Sequence, residues 1–423
     1  MKLAYFICFV LCSFTSSADF VIISRTGNLR ESPSVEAAIL EKVAKGDTLL
    51  LIETALTNDY YHVTSLLTGN HGWIFRTLAR KFSGDIVNAN PDVNAIVEVR
   101  VVDVGAGLCN LIKLPNNKFV IYDAGGDKFT QPGDENIAQI KDYIPAGSDV
   151  ELMVLSHSDA DHMLAAHHVI RNYNVKKLLW SGFEKSMITI NPLDTPTGTF
   201  NRLVRALNDH PGTENVNLNK KDSMLTPGSG FSIGNVTFTF LCGFGKPLGN
   251  WNLTDTAEML NSVSIVMKME FAGNSVLFCG DAVGRHRTDT DVNALIATEE
   301  FLVNNAEALL PSTVVIAPHH GAKNGSSRAF VDLVKPKVVI FSAGHKHSHP
   351  TTRTADEYKR SVNQCMIYRT DRGDDEGTST EWNFERITGH HDKFNDDHIH
   401  IQLTGDGKFR VFYVNGPPEP CNQ

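Results

Sequence analysis

Residues 155–163 read LSHSDADHM and set two histidines and two aspartates, His157, Asp159, Asp161 and His162, into six consecutive positions behind the apolar run ELMVL. Imidazole and carboxylate suit divalent cations, and their alternation on one short segment lets it feed two adjacent ions. A bland arrangement is also open, with Asp161 capping the next helix, Asp159 in water and the histidines meeting local hydrogen bonds. Three further stretches weigh against it, because each ends a strand-like apolar run with residues of the same kind. They are FCGDA with Asp281, APHHGAKNGSS with His319 and His320, and SAGHKHSHPTT with His345, His347 and His349. Side chains at the carboxyl ends of strands meet at one edge of a sheet, where α/β sites lie. The chemistry of such a set is metal-assisted hydrolysis.

The elements that must position these residues are legible as apolar runs. AIVEVRVVDVG, NLIKLP, KFVIYDAGG, VELMVLS, VKKLLWSG, VTFTFLCG, SIVMKMEF, SVLFCGDA, TVVIAPHH and KVVIFSAG read as strands. HMLAAHHVIRNY, FNRLVRALNDH, VNALIATEEFLVNNAEALL and SRAFVDLV carry helical spacing between them. Strands outnumber helices and several hairpins occur, so the sheets are expected to be mixed, with helices covering a paired-sheet core. Residues 373–397 are polar and irregular and read as a surface insertion before a last hairpin, HIHIQLTGDGKFRVFYV.

The 423-residue chain, 42% hydrophobic, can bury a large core and has room for more than one domain. Residues 1–18 read as a signal peptide, with one lysine, an apolar run, and Ser16 and Ala18 at the positions a signal peptidase reads, so cleavage is expected after Ala18. The mature protein is then secreted or periplasmic, has no membrane-spanning segment, and carries one positive charge fewer than the full chain's net −9. That acidity opposes strong non-specific attraction to nucleic acid. Of the five mature cysteines, Cys109, Cys242 and Cys279 lie in strand-like runs as buried thiols, and Cys365 and Cys421 can pair in an oxidising compartment.

Residues 19–82 form a separate domain of short alternating runs broken by SPS, KGD and TGNHG, a small all-β barrel. The landmarks GNLRESPS, AKGD and GNHGWIF make it resemble bacterial Src-homology-3-like (SH3-like) domains, which implies a possible cell-wall peptide partner; packing on a neighbour is the plainer alternative. From residue 95 to 423 the pattern is different. VVDVGAGLCNLIKLPNNKFVIYDAGG, LSHSDADH, LNSVSIVMKMEFAGNSVLFCGDA, APHHGAKNGSS and SAGHKHSHP, over about residues 97–372, resemble in order and spacing the metallo-β-lactamase-fold hydrolases of the ComEC-like group, the hydrolase domain of the competence protein and its free-standing relatives.

That resemblance implies an α/β (α+β) chain whose second domain is a four-layer αββα sandwich with two divalent ions, Mn²⁺ or Zn²⁺ with Mg²⁺ possible, at one edge. It implies His157 and Asp159 on one ion, Asp161 and His162 on the other, Asp281 bridging, and His320 as the ligand from HHG. His319 and His349 are alternative ligands, and Asp123 is expected to orient a loop histidine by hydrogen bonding. Asp161, Asp281 and His320 are the candidate catalytic residues: an aspartate takes the proton from water, and one of His319, His320 or His349 assists the oxyanion or leaving group.

Three departures stand out. Asp159 occupies a position that is usually histidine, which hardens the site towards Mn²⁺ or Mg²⁺. A further histidine ligand expected before the bridging aspartate has only His167, His168 and His210 as candidates, so one ion is expected to be weakly held. GAGLCN also stands where the group has GQGDA.

The implied substrate is DNA, cleaved as a phosphodiester. Arg285 and Lys323 are the candidate phosphate contacts, with GRHR (Arg285, His286, Arg287) and the backbone amides of KNGSS as local support. Hydrolysis of another ester or amide (a lactone, a β-lactam, a cyclic nucleotide) is the alternative, and a non-catalytic cell-envelope binding protein is a third reading.

Overall fold

The computed structural model describes residues 18–45, 47–53, 55–65, 70–84, 92–126, 133–188, 198–344, 347–363, 366–371 and 397–414. Most of the leader, His345, Cys365, Cys421 and residues 372–396 of the expected insertion lie outside them.

One unit is all β. Its strands lie in the order Ile39–Val43, Gly27–Arg30, His71–Phe75, Tyr60–Ser65, Thr48–Leu51, Ala18–Ile23 and Ala79–Gly84, each antiparallel to its neighbour. Alternate residues, among them Val21 and Ile23, point into a core shared with Leu29, Val43, Leu49, Val63 and Ile74.

The other unit is mixed α/β. Its first sheet runs Glu214–Asn217, Lys177–Trp180, Asp149–Leu155, Phe119–Ala124, Cys109–Lys113, Ile96–Val101, Ile399–Thr404 and Phe409–Tyr413, with Asn174–Val175 beside Asp149–Leu155. Its second runs Val236–Cys242, Val266–Phe271, Asn274–Phe278, Val314–Ile316, Val338–Phe341 and Ile367–Arg369. The strands that precede the candidate residues each pair in parallel with at least one neighbour and, Asp149 and Glu151 apart, are buried, which is why they read as largely unbroken apolar runs.

Helices cover each sheet. Gly133–Tyr143, Ala166–Asn172 and Gly198–Asp209 share a core with the first sheet through Ile140, Val169 and Leu203. Thr256–Ser262, Ala297–Asn305, Arg328–Val334 and Thr352–Lys359 share one with the second through Leu260, Leu302, Val331 and Tyr358. The two sheets meet where the Tyr122 ring stacks on Phe278, centroids 5.1 Å apart, and the Tyr122 hydroxyl donates to the Ile265 carbonyl at 2.5 Å.

Helices differ from the expectation in two ways. HMLAAHHVIRNY breaks into Ala160–Met163 and Ala166–Asn172, and the helices Gly133–Tyr143, Thr256–Ser262 and Thr352–Lys359 are additional. Two of the additional helices have local starts: the Asp255 side chain accepts from the Ala257 and Glu258 amides, and the Thr351 side chain from the Thr354 amide.

Candidate metal centre

The candidate side chains lie at or just beyond the carboxyl ends of strands of the mixed unit. Asp123 is the penultimate residue of Phe119–Ala124; His157, Asp159, Asp161 and His162 follow Asp149–Leu155; Asp281 follows Asn274–Phe278; His319 and His320 follow Val314–Ile316. His319 and His320 both take left-handed backbone, φ 51° and 55°, which turns the chain sharply enough to aim two consecutive imidazoles at one place. Such conformations cost about 1–3 kcal/mol each and persist where the surroundings impose them. Here the His319 amide donates to the Gly280 carbonyl at 2.9 Å.

The loop itself is gripped through its main chain. The Asp161 carbonyl accepts from the Leu108 amide at 3.0 Å and the Gly126 amide at 3.1 Å. A Cβ on Gly125 would lie 1.5 Å from that same oxygen, and one on Gly107 2.8 Å. This gives GAGLCN and DAGG their role: they supply close-approaching backbone. Asp159 occupies the N-cap position of Ala160–Met163 without accepting a cap hydrogen bond, so neither it nor Asp161 is spent on capping.

Donor atoms converge around Asp281, which is 3% exposed. Its Oδ1 lies 3.0 Å from His162 Nε2 and 3.5 Å from His320 Nε2, and those two nitrogens are 3.1 Å apart. Asp161 Oδ2 completes this side, 3.8 Å from His320 Nε2. The Asp281 Oδ2 atom faces the other way, 3.4 Å from His319 Nε2 and 3.9 Å from His157 Nε2, with Asp159 Oδ2 3.8 Å from His157 Nε2.

Protons decide what fills such a cluster. Asp123, wholly buried, accepts from the Ser156 amide and hydroxyl, both at 2.7 Å, and its Oδ2 lies 2.8 Å from His162 Nδ1. His320 Nδ1 donates to the Ser342 carbonyl at 2.7 Å. With both Nδ1 atoms committed as donors, the two Nε2 atoms of the neutral rings present lone pairs to each other, an arrangement that needs a positive centre between them. A proton is one such centre: burial opposes charge on His162, but Asp281 and Asp123 outweigh it and raise its pKa well above the ordinary value.

A divalent cation is the other. Donors about 2.1 Å from one ion lie roughly 3.0–3.5 Å apart, close to the spacings on the Asp281 Oδ1 side. The triads His157, His162, Asp281 and Asp161, His162, His320 each bring a donor atom within 4.8 Å of the others. His157 Nε2 and Asp281 Oδ1 are buried without a hydrogen-bond partner among the described residues. Burial, Asp161 and Asp281 push the Asp159 carboxyl up to about 7, the mark of carboxylates crowded together more than the nearby positive groups offset. Burial lowers His157 to about 3 and also lowers His319 and His349, so these rings stay neutral with lone pairs to give. The residues fit divalent metal.

The structure does not bring every candidate to this edge. His349 sits one ring away, its centroid 6.0 Å from that of His319. His167 and His168 pack on each other, centroids 3.9 Å apart. Arg285 corrects an expectation: it is 0% exposed, and its Nη2 donates to the carbonyls of Gly325 and Ser326, so it braces the KNGSS loop instead of reaching solvent. The amides of Ser326 and Ser327 are likewise taken, at 2.6 and 2.7 Å, by the buried carboxylate of Glu299 and are not open to an anion. Lys323 is exposed beside HHG.

Asn261 was not foreseen. It is 2% exposed and its Nδ2 lies 3.4 Å from Asp281 Oδ2 and 3.3 Å from His319 Nε2. Its place in LNSVS, a landmark of the resemblance, was the available signal.

No family model matches the chain. Its relatives are partial matches. ComE operon protein 3 of Bacillus subtilis is 24% identical over 296 residues, covering 67% of this chain and 33% of that protein. Recombination protein 2 of Haemophilus influenzae is 26% identical over 249 residues, covering 58% of this chain and 24% of that protein. The chain therefore spans about a third or less of the curated relatives it matches.

Solved structures similar to it include CmlA beta-hydroxylase (TM-score 0.35, 14% identity, 66% of this chain and 53% of that one) and Zn²⁺-bound PqqB from Methylobacterium extorquens (0.35, 8%, 64% and 97%). A third, from Thermotoga maritima, is named as a metallo-beta-lactamase (0.28, 13%, 46% and 84%). TM-scores this low say nothing about chemistry. The chain's own two-sheet topology, with helices on both sheets, is consistent with a metallo-β-lactamase fold.

Proposed function

We propose that the mixed unit is a metal-dependent hydrolase that cleaves phosphodiester bonds in DNA. The observation that carries this reading is the division of the Asp281 carboxylate, one oxygen towards His162 and His320 and the other towards His157 and His319. Divalent cations held by these donors would supply an acidified water and charge stabilisation at the attacked group.

The chain's own groups do the rest. Asp123 and the Ser342 carbonyl fix the His162 and His320 rings so that both Nε2 atoms face inward. Asp161, a third exposed at the open side, is placed to take a proton from water. His319 and His349, kept neutral by burial, act as hydrogen-bond donors or ligands rather than as charged acids. Lys323 supplies a positive charge at the rim for a phosphate. The name of one relative, a recombination protein, supports DNA as the substrate.

The test is cleavage of DNA by the purified mature chain with added Mn²⁺, Zn²⁺ or Mg²⁺. Metal-dependent cleavage that EDTA and Asp281→Ala abolish is expected, and no cleavage under any metal overturns the nuclease reading. Turnover of nitrocefin or a lactone in its place would move the assignment to another ester or amide.

We further propose secretion after cleavage at Ala18 and cell-wall peptide binding by an SH3-like barrel at residues 19–82. An exported protein whose first residue is Asp19, and retention of that unit by purified sacculi, are the expected results.

A further inference from the structure

The loop after Asp281 is pinned at three places. Arg285 is buried against the Gly325 and Ser326 carbonyls. The carboxylate of Glu258, itself 3% exposed, accepts from the Arg287 amide at 2.8 Å and lies 2.8 Å from His286 Nδ1. Arg353 donates to the carbonyls of Asp289 and Asp291 at 2.5 and 2.7 Å. Three side chains thus fix residues 285–291, yet the Arg287 side chain is exposed and makes no hydrogen bond or ion pair among the described residues.

Its place relative to the centre follows from the helix Thr256–Ser262. Glu258 and Asn261 are three apart on that helix, neighbours on one face about 5–6 Å apart at Cβ. Asn261 touches Asp281 Oδ2 and His319, and Glu258 holds the Arg287 main chain, so Arg287 starts about one helical turn from the metal donors. Its charge acts on both Asp159 and His319. A guanidinium on a rigid loop at the rim of a centre is the group that matches a phosphate with two parallel N–H donors.

We propose that Arg287 binds the anionic phosphate of the substrate over the His157 and Asp159 side of the centre, and that Glu258 is the residue that positions it. This rests on the phosphodiester reading for its ligand class, so the test reads binding apart from turnover.

The probe is a fluorescein-labelled, phosphorothioate-linked single-stranded oligonucleotide, titrated with the full metal-loaded chain and followed by anisotropy over a range of salt. Arg287→Gln is expected to weaken binding about tenfold and to lower the slope of log affinity against log salt by about 0.7. Arg287→Lys should restore the slope but only part of the affinity. Glu258→Gln is expected to weaken binding about threefold, and to have no further effect in the Arg287→Gln background, a result that a merely structural role would not give.

Unchanged affinity and slope in Arg287→Gln, or no binding by the wild-type chain, overturns the proposal. DNA cleavage by the wild-type chain in that case leaves the nuclease reading standing. Arg287-dependent binding without cleavage has the reverse consequence.

Discussion

The two sides of the Asp281 carboxylate are built to different tolerances. On the Oδ1 side the closest donors lie 3.0, 3.1 and 3.5 Å apart, and His162 and His320 each have the second ring nitrogen tied to a buried acceptor. On the Oδ2 side the spacings are 3.4, 3.8 and 3.9 Å, and among the described residues His157 is steadied by the Ser156 hydroxyl alone, at 3.0 Å. Ring orientation fixed by a second hydrogen bond raises ligand basicity and removes the entropy of ordering at the moment of binding. Each side carries one carboxylate about a third exposed, Asp161 and Asp159, so the difference lies in the rings: the Oδ1 side should hold the tighter ion and the Oδ2 side the exchangeable one.

Removing the shared ligand has the largest expected effect. Asp281→Ala should lose both ions and lower kcat/KM by more than the roughly 10–100-fold that loss of an outer hydrogen-bond partner costs; metal analysis after dialysis, with steady-state kinetics, reads both. The comparison breaks or holds on the next pair. His162→Ala should leave no tightly bound ion, whereas Asp159→Ala should leave one, and equal losses in the two variants would end the distinction.

Asp123→Asn tests the anchoring directly. It should weaken the tighter ion by roughly 10–100-fold while changing the looser one less, as read by competition with a chelating dye. The smallest effect is with pH. Metal-free Asp159 is raised to about 7, so a cation must displace its proton below that value. Affinity on the looser side should be level above pH 7 and fall by up to about tenfold per unit below it, as titration calorimetry would show.

Much of this centre was legible because histidine and aspartate in groups behind apolar strands are scarce enough to be informative. The loop at His157–His162, Asp281 and the HHG turn declare themselves by residue type. The other contributors do not. Ser342 acts through its carbonyl, and Leu108 and Gly126 through their amides, atoms that every residue but proline carries in full, so nothing in the letters marks them.

Arg285 and Arg287 show a different limit. Two residues apart, they are alike in sequence, but one is buried under a loop and the other exposed, and only the fold reports which way each faces. Short helices such as Thr256–Ser262 were missed because seven residues show too little periodicity, although the Asp255 cap was there to be read.

The grip on the Asp161 carbonyl has a consequence for how this chain tolerates inheritance. Because peptide groups do the holding, the side chains of Ala106, Leu108 and Cys109 are free to drift so long as they still pack, whereas Gly107 and Gly125 have no permitted replacement. A saturation library across 106–109 and 125 should accordingly recover active clones with varied letters at 106, 108 and 109 and glycine alone at 107 and 125, a pattern of constraint opposite to the one a catalytic side chain imposes.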